Sequence, residues 1–132
     1  MSENSENPTP MAPGEGPISK REMNQLIKNY KKSMTFDDTQ SVWFSVAGLM
    51  ALIKHNNANG IRIYYGRHNE DDKTYPGRHN VILVATRDSK DPENPSAENS
   101  KNLLNNSDKI NKDKPYKGQP LNFGALCPPR CT

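Results

Sequence analysis

The apolar residues of this 132-residue chain are concentrated between Ile18 and Asp88, and this distribution limits what the chain can fold into. Hydrophobic residues make up only 32% of the whole sequence. A stretch of about 70 residues must therefore supply the core, which is close to the smallest size at which a domain folds without cross-links. We expect one small domain at residues 18–88, with polar segments on both sides.

The polar segments differ in composition, and neither predicts a membrane protein. Residues 1–17 contain three acidic residues and no basic one, and they lack the charged and apolar regions of a signal peptide. We expect a disordered leader there, and a cytoplasmic protein. Residues 89–120 are mostly Asn, Ser, Lys, Asp, Glu and Pro, which predicts a mobile linker with one helical turn near Leu103. The longest apolar run, Val81 to Ala85, is too short to span a bilayer.

The chain becomes apolar again at residues 121–132. Apolar side chains beyond a long polar stretch predict a docking segment, and three of them are the candidates: Leu121, Phe123 and Leu126. The surface that receives them belongs either to this domain or to a protein partner, including a second copy of the chain.

Both cysteines, Cys127 and Cys131, lie in this tail. The two prolines between them stiffen the loop and favour a disulfide, whereas two free thiols are the simpler expectation in a reducing cytoplasm. No second pair of zinc ligands accompanies the C-x3-C spacing, so we predict no metal site. The P-loop, G-x-G-x-x-G and G-x-S-x-G motifs are also missing, so the sequence implies no cofactor.

Two helices are predicted from spacing and capping residues. Ser19 and Glu22 form a capping box, and the apolar residues behind it recur at intervals of three and four, which predicts an amphipathic helix at about 20–33. The opposite face of this helix is rich in lysine. Ser45 begins a second helix that should end near Asn56.

Three β segments complete the predicted fold. Residues 42–44 are of β-favouring types, residues 61–65 alternate between apolar and polar, and residues 81–85 are apolar throughout, as in a central strand. A loop joins the last two segments, which predicts a hairpin. We therefore expect a small α+β domain with an N-terminal amphipathic helix, a β-α unit and a β-hairpin. In the alternative, an α/β layer, the first two strands run parallel around the second helix.

The third β segment is expected to be the most buried part of the chain. Apolar side chains from the other elements should surround it: Trp43, Leu49, Ile53, Ile61 and Ile63.

The pattern Y-x-G-R-H-N occurs twice, beginning at Tyr64 and again at Tyr75. Each copy combines a glycine, a fixed cation and a titratable ring. The acidic run at residues 70–72 lies between the copies. The pattern matches no catalytic signature, but it is the densest group of reactive side chains in the chain.

If the hairpin strands pair antiparallel, both Arg-His pairs lie near one end of the sheet. The arginines could then clamp a phosphate or carboxylate, with the histidines as donors or proton carriers. The candidate anion-binding residues are Arg67, His68, Arg78 and His79, supported by Arg62, Tyr65 and Tyr75. In the structural alternative, the arginines neutralise the acidic run, and the Tyr-x-Gly sequences are turn residues.

Two classes of function follow from these candidates. The first is a non-enzymatic binding or interaction module that recognises an anionic group or a protein through the Arg/His loop and presents the tail. The second is a small hydrolase or transferase that uses His68 and His79 with Arg67 and Arg78. A closed pocket of convergent polar groups would favour the enzyme, and a shallow basic face would favour the binder. The net charge of +3 does not by itself indicate nucleic acid, although aromatic residues beside arginines leave that partner open.

Four segments, VWFS, GIRIYYGRHN, YPGRHNVILVATRD and LNFGALCPPRC, together resemble a group of small uncharacterised bacterial proteins of the Bacteroidetes type. The resemblance covers residues 41–88 and the end of the chain. The group has no assigned activity, so the resemblance implies no function. It implies only that the core and the CPPRC tail belong together.

Overall fold

The computed structural model describes residues 15–34, 38–105, 113, 116–122 and 124–131. In chain order the elements of this part are α1 (Lys20–Ser33), β1 (Ser41–Trp43), α2 (Val46–Asn56), β2 (Gly60–Arg67), β3 (His79–Arg87), β4 (Lys101–Asn102) and β5 (Ala125–Cys127). The strands form two antiparallel sheets, one of β1 and β5 and one in the order β2-β3-β4. The predicted α+β class is confirmed.

Both helices begin at the predicted capping residues. The hydroxyl of Ser19 accepts the N–H of Glu22 at 3.0 Å, and the hydroxyl of Ser45 accepts the N–H of Gly48 at 3.0 Å. These bonds satisfy amides that a helix leaves free in its first turn. α2 ends at Asn57, whose left-handed backbone (φ 51°) closes the last turn.

β2 and β3 form the predicted hairpin, in register from Gly60 opposite Thr86 to Arg67 opposite His79. β3 is the central strand, because β4 pairs with its other edge. Among the described residues β1 pairs antiparallel with β5 and not with β2. The parallel alternative is therefore not formed.

The core is built on β3, as the continuous apolar run predicts. Leu83 (5% exposed) and Ala85 (1%) pack with Leu52 of α2, which has no exposed surface. Val84 (3%) is buried on the opposite face of the strand. Each fully buried leucine or valine side chain contributes about 1.5–3 kcal/mol by removal from water.

Three of the residues that we expected around β3 are exposed. Trp43 is 66% exposed, Ile63 57% and Ile61 37%. Ile63 lies directly across the ladder from Leu83, so both side chains are on the same face of the sheet. α2 packs on β3, and within the described residues Ile63 stays more than half exposed on that face of the edge strand β2. Alternation along β2 predicts which side is apolar, but not whether another element covers it.

Hydrogen bonds connect residues 89–105 to the domain, and the mobility predicted for the linker at residues 89–120 stays a prediction. The buried carboxylate of Asp88 accepts the N–H groups of Lys90, Asp91 and Ser96 at 2.9–3.0 Å. The bonds from Ser96 and Asp91 lower the pKa of Asp88 below its ordinary value, against the effect of burial. The chain then enters β4. The polar composition of this segment predicts that it buries too little apolar surface to be ordered. The structure instead shows that the buried carboxylate of Asp88 accepts backbone hydrogen bonds and so fixes the turn that follows β3.

The tail docks on its own domain. Leu121 exchanges two backbone hydrogen bonds with Leu83, at 2.8 and 2.9 Å, and Leu126 has no exposed surface. β5 then pairs with β1. Leu121 thus occupies the edge of β3 beyond β4, and β5 lies along β1, whereas a protein partner at the tail stays a prediction.

Cys127 and Cys131 are joined by a disulfide directly after β5. The predicted docking residue Phe123 lies outside the described residues, as do residues 1–14 of the predicted leader.

Candidate functional site

The second motif copy holds the tail. Tyr75 is buried, and its hydroxyl accepts the N–H of Leu126 at 3.2 Å. Arg78 donates from Nη2 to the carbonyl of Pro128 at 2.8 Å and to the hydroxyl of Thr39 at 3.4 Å. A charged donor makes a stronger hydrogen bond than a neutral one. We call Tyr75 and Arg78, with these partners, the tail clasp.

The first motif copy makes its contacts within the loop. Arg67 is exposed, donates from Nε to the carbonyl of Gly77 at 2.9 Å and lies 3.5 Å from Glu70. His68 is buried, with its ring 5.6 Å from that of Tyr75. The two arginines therefore bond to different segments, and anion binding by the four motif residues stays a prediction.

His79 pairs with Asp38, which the sequence analysis did not predict. Its Nδ1 lies 2.5 Å from both carboxylate oxygens, and about half of the His79 side chain is exposed. Burial alone would raise the pKa of Asp38, but the N–H of Thr39, the ring of His79 and the charge of Arg78 together lower it. Because Nδ1 binds the carboxylate, Nε2 is the ring nitrogen left for a ligand; no hydrogen bond to it is found among the described residues.

An open groove of about 340 Å³ lies beside this pair. The hydroxyl of Tyr30, near the end of α1, donates to the carbonyl of Thr39 at 3.2 Å and so fixes this ring at the groove. Apolar and ring side chains from four segments line it: Tyr30, Val42, Ile63, Tyr65, His79 and Val81. Its surface is therefore mixed, with an imidazole and two phenol groups beside an apolar lining.

The outer edge of β2 adjoins the groove, and no other strand of the described part of the chain pairs with it. Leu83 exchanges both of its backbone hydrogen bonds with Leu121, so its N–H and C=O point away from β2. Ile63, its partner across the ladder, must therefore point its own N–H and C=O outward. Because the direction of the backbone groups alternates along a strand, the N–H and C=O groups of Ile61 and Tyr65 also point outward. No hydrogen bond from the described residues reaches these outward groups.

The supporting residues predicted from the sequence have different roles. Arg62 donates to the side-chain oxygen of Asn102 at 2.7 Å and to the carbonyl of Ala97 at 2.9 Å. It therefore holds the segment before β4 against the hairpin. Tyr65 is 92% exposed and lines the groove, whereas Tyr75 belongs to the tail clasp.

Sequence reasoning missed Asp38 and Tyr30 as members of the site. Asp38 is 41 residues from His79 in the chain, and the Asp37-Asp38 pair carries no spacing pattern that points to a distant histidine. Tyr30 belongs to the apolar stripe of α1, which predicts packing and not a ligand surface. Only the folded chain brings these two residues to the hairpin.

Comparison with protein families, curated proteins and solved structures finds no match to this chain. In the part of the chain that the structure describes, no three His, Cys, Asp or Glu side chains are placed to hold a metal ion. None of the described helices has the length and hydropathy that a bilayer span requires. The local geometry is therefore the basis for a functional proposal.

Proposed function

We propose that this protein is a non-enzymatic interaction module that binds an extended protein segment as an added strand along β2. One observation carries this proposal. β2 is an eight-residue edge strand whose outward N–H and C=O groups have no partner among the described residues. Main-chain hydrogen bonds to such an edge provide affinity, and pockets for alternate side chains provide specificity.

The composition of β2 supports binding rather than protection. Proteins usually blunt an exposed edge with lysine, proline, a bulge or a covering loop. β2 contains no lysine and no proline, and its pairing with β3 runs without a bulge from Gly60 to Arg67. The three residues whose backbone groups point outward have apolar or aromatic side chains, and we call them the outward row: Ile61, Ile63 and Tyr65, which are 37%, 57% and 92% exposed. An edge of this kind is stable in solution when another strand occupies it.

The groove provides the side-chain selectivity of the proposed site. Ile63 and Tyr65 belong both to the open edge and to the groove lining. A strand added to β2 would therefore place alternate side chains at the groove, where the apolar lining favours an apolar residue. The phenols of Tyr30 and Tyr65 offer aromatic anchors, a residue type enriched at binding hot spots.

A proline at position 63 tests this proposal. Ile63→Pro removes an outward N–H and leaves the inward hydrogen bonds between β2 and β3 in place. The control Ile63→Val keeps the N–H and a β-branched side chain. We expect peptides selected from a random displayed library on the immobilised protein to alternate apolar and polar residues. Their binding should be lost with Ile63→Pro and retained with Ile63→Val.

A variant that unfolds would not inform this test, so the hairpin is checked first by backbone amide chemical shifts in β3. Peptide binding that survives Ile63→Pro in a folded hairpin would overturn strand addition. So would binding that shifts amides on a surface away from β2 and the groove.

The enzymatic alternative has one observation in its favour, the pairing of His79 with Asp38 beside the groove. A carboxylate that holds Nδ1 orients an imidazole for proton transfer through Nε2. His68 does not join it, because that ring is buried beside Tyr75. Hydrolysis of a small activated ester that is lost in both His79→Ala and Asp38→Asn would support this alternative; equal turnover by parent and variants would remove it.

The cytoplasmic location stays a proposal. The disulfide in the tail is typical of oxidising compartments, whereas cytosolic thiols are usually kept reduced. Alkylation of free thiols in intact cells, before lysis, measures which state is present. Unmodified cysteines would contradict a reducing location.

A further inference from the structure

The outward row of β2 is complementary to itself. Ile61, Ile63 and Tyr65 all lie on one face of the strand and all direct their N–H and C=O groups outward. When two such strands pair antiparallel about a two-fold axis perpendicular to the sheet, each outward residue meets another outward residue. The backbone groups and the apolar row can therefore be satisfied at the same time by an identical strand.

One register satisfies both requirements. A pairing centred on Ile63 places Ile61 opposite Tyr65 of the second copy and Ile63 opposite its own equivalent. Three apolar pairs then form one continuous row across the axis. Cross-strand apolar and aromatic pairs stabilise a sheet, and a one-residue slip would move every side chain to the wrong face.

The neighbouring registers are disfavoured by charge. Centring the pair on Arg62 places two arginines directly opposite each other, which is destabilising. Centring it on Tyr64 places Arg67 opposite Ile61 and interrupts the apolar row. In the register centred on Ile63, no arginine faces another arginine within the paired residues 60–66. Charge and hydrophobicity thus select the same register.

We infer that the partner bound along β2 is a second copy of this chain, paired through a two-fold axis at Ile63. This inference rests on the proposed function, and it identifies the strand that binds along β2 as the β2 strand of a second copy. The two three-stranded sheets become one six-stranded sheet in the order β4-β3-β2-β2-β3-β4. Among the described residues, β5 of the tail pairs with β1 and not with β2.

Disulfide trapping tests both the partner and the register. In the inferred pair, the two Ile63 residues exchange both backbone hydrogen bonds, so their Cα atoms are about 5.5 Å apart, within the range that a disulfide spans. The native cysteines are bonded to each other, so an introduced cysteine is the free thiol. We expect mild oxidation of Ile63→Cys to give a covalent dimer on a non-reducing gel.

Two variants serve as controls. Tyr64→Cys, next along the strand, faces Arg62 of the second copy and should cross-link much more slowly than Ile63→Cys. Ser89→Cys, on an exposed part of the chain outside the sheets, gives the rate of random collision. Faster cross-linking of Tyr64→Cys than of Ile63→Cys would overturn the register. Equal rates for Ile63→Cys and Ser89→Cys would overturn the dimer.

Sedimentation equilibrium gives an independent measurement on the full chain. The parent and Ile63→Val should have twice the mass of the chain, and Ile63→Pro should have the mass of one chain. A monomeric parent that still binds selected peptides along β2 would refute the second copy and leave the proposed function standing. A monomeric parent that binds no peptide along β2 would refute both.

Discussion

Replacement of Leu126 by alanine should destabilise this domain strongly, although the residue lies only six positions before Thr132. Leu126 has no exposed surface, and its N–H bonds to the buried hydroxyl of Tyr75. Complete burial of a leucine contributes about 1.5–3 kcal/mol by transfer, and the cavity left by Leu→Ala raises the total loss to about 2–5 kcal/mol. A domain of this size is stable by only about 5–15 kcal/mol, so the loss is a large fraction of its stability.

Equilibrium unfolding in urea, with the disulfide intact, measures this loss. The urea concentration at the midpoint should fall. The dependence of the unfolding free energy on urea concentration should stay unchanged, because unfolding exposes about the same surface area. Leu104→Ala is the matched control: it is the same substitution at a residue that is 46% exposed, where the loss should be below about 1 kcal/mol. If Leu126→Ala is no more destabilising than Leu104→Ala, the tail is not docked and the tail clasp does not hold it.

Three further measurements test other parts of the structure. Gly77→Ala should destabilise the domain by about 1 kcal/mol or more, because φ at this position is +67° and the new Cβ would lie 2.7 Å from a carboxylate oxygen of Glu70. The control Gly16→Ala, where the new Cβ has no neighbour within 4 Å, should change the unfolding free energy very little in the same assay. The pKa values of Asp38 and Asp88 are lowered in the folded protein, so both carboxylates contribute to folding stability. This contribution is complete above the ordinary aspartate pKa of 3.8 and is lost as the pH falls through the lowered pKa values of the folded state. The melting temperature should therefore fall in acid below about pH 4, and Asp88→Asn should make that fall less steep; an unchanged profile would contradict the turn described for Asp88. Reduction of the tail disulfide should lower the unfolding free energy by about 2 kcal/mol, the loop entropy of so short a ring, and a variant with serine at both positions should show the same loss without reductant.

Features that depend on neighbouring residues were predictable from the sequence. The caps at Ser19 and Ser45 rest on hydrogen bonds to a residue three positions away, so each helix begins where the sequence predicts. The central position of β3 follows from its continuous apolar run. Each of these features depends only on residues that are close together in the chain, so the sequence alone is sufficient to predict it.

Features that depend on which surfaces meet were not predictable. The alternation in β2 is real, but α2 covers Leu83 and leaves Ile63 exposed on the same face. The two motif copies are alike in sequence, yet Arg78 reaches Pro128 while Arg67 stays in the loop. Asp38 joins His79 only because the segment before β1 passes beside the hairpin. In each case the partner is distant in sequence and carries no pattern of its own.

Residue-resolved amide hydrogen exchange along β2 tests the open edge most directly. In dilute protein, Arg62 and Tyr64 should be protected by β3, whereas Ile61, Ile63 and Tyr65 should exchange at least about tenfold faster. As the protein is concentrated, the three outward amides should become protected while the two inward ones stay unchanged. Protection of all five amides at the lowest concentration, or outward amides that exchange rapidly at every concentration, would contradict a strand edge that is open in the single chain and occupied by a second one.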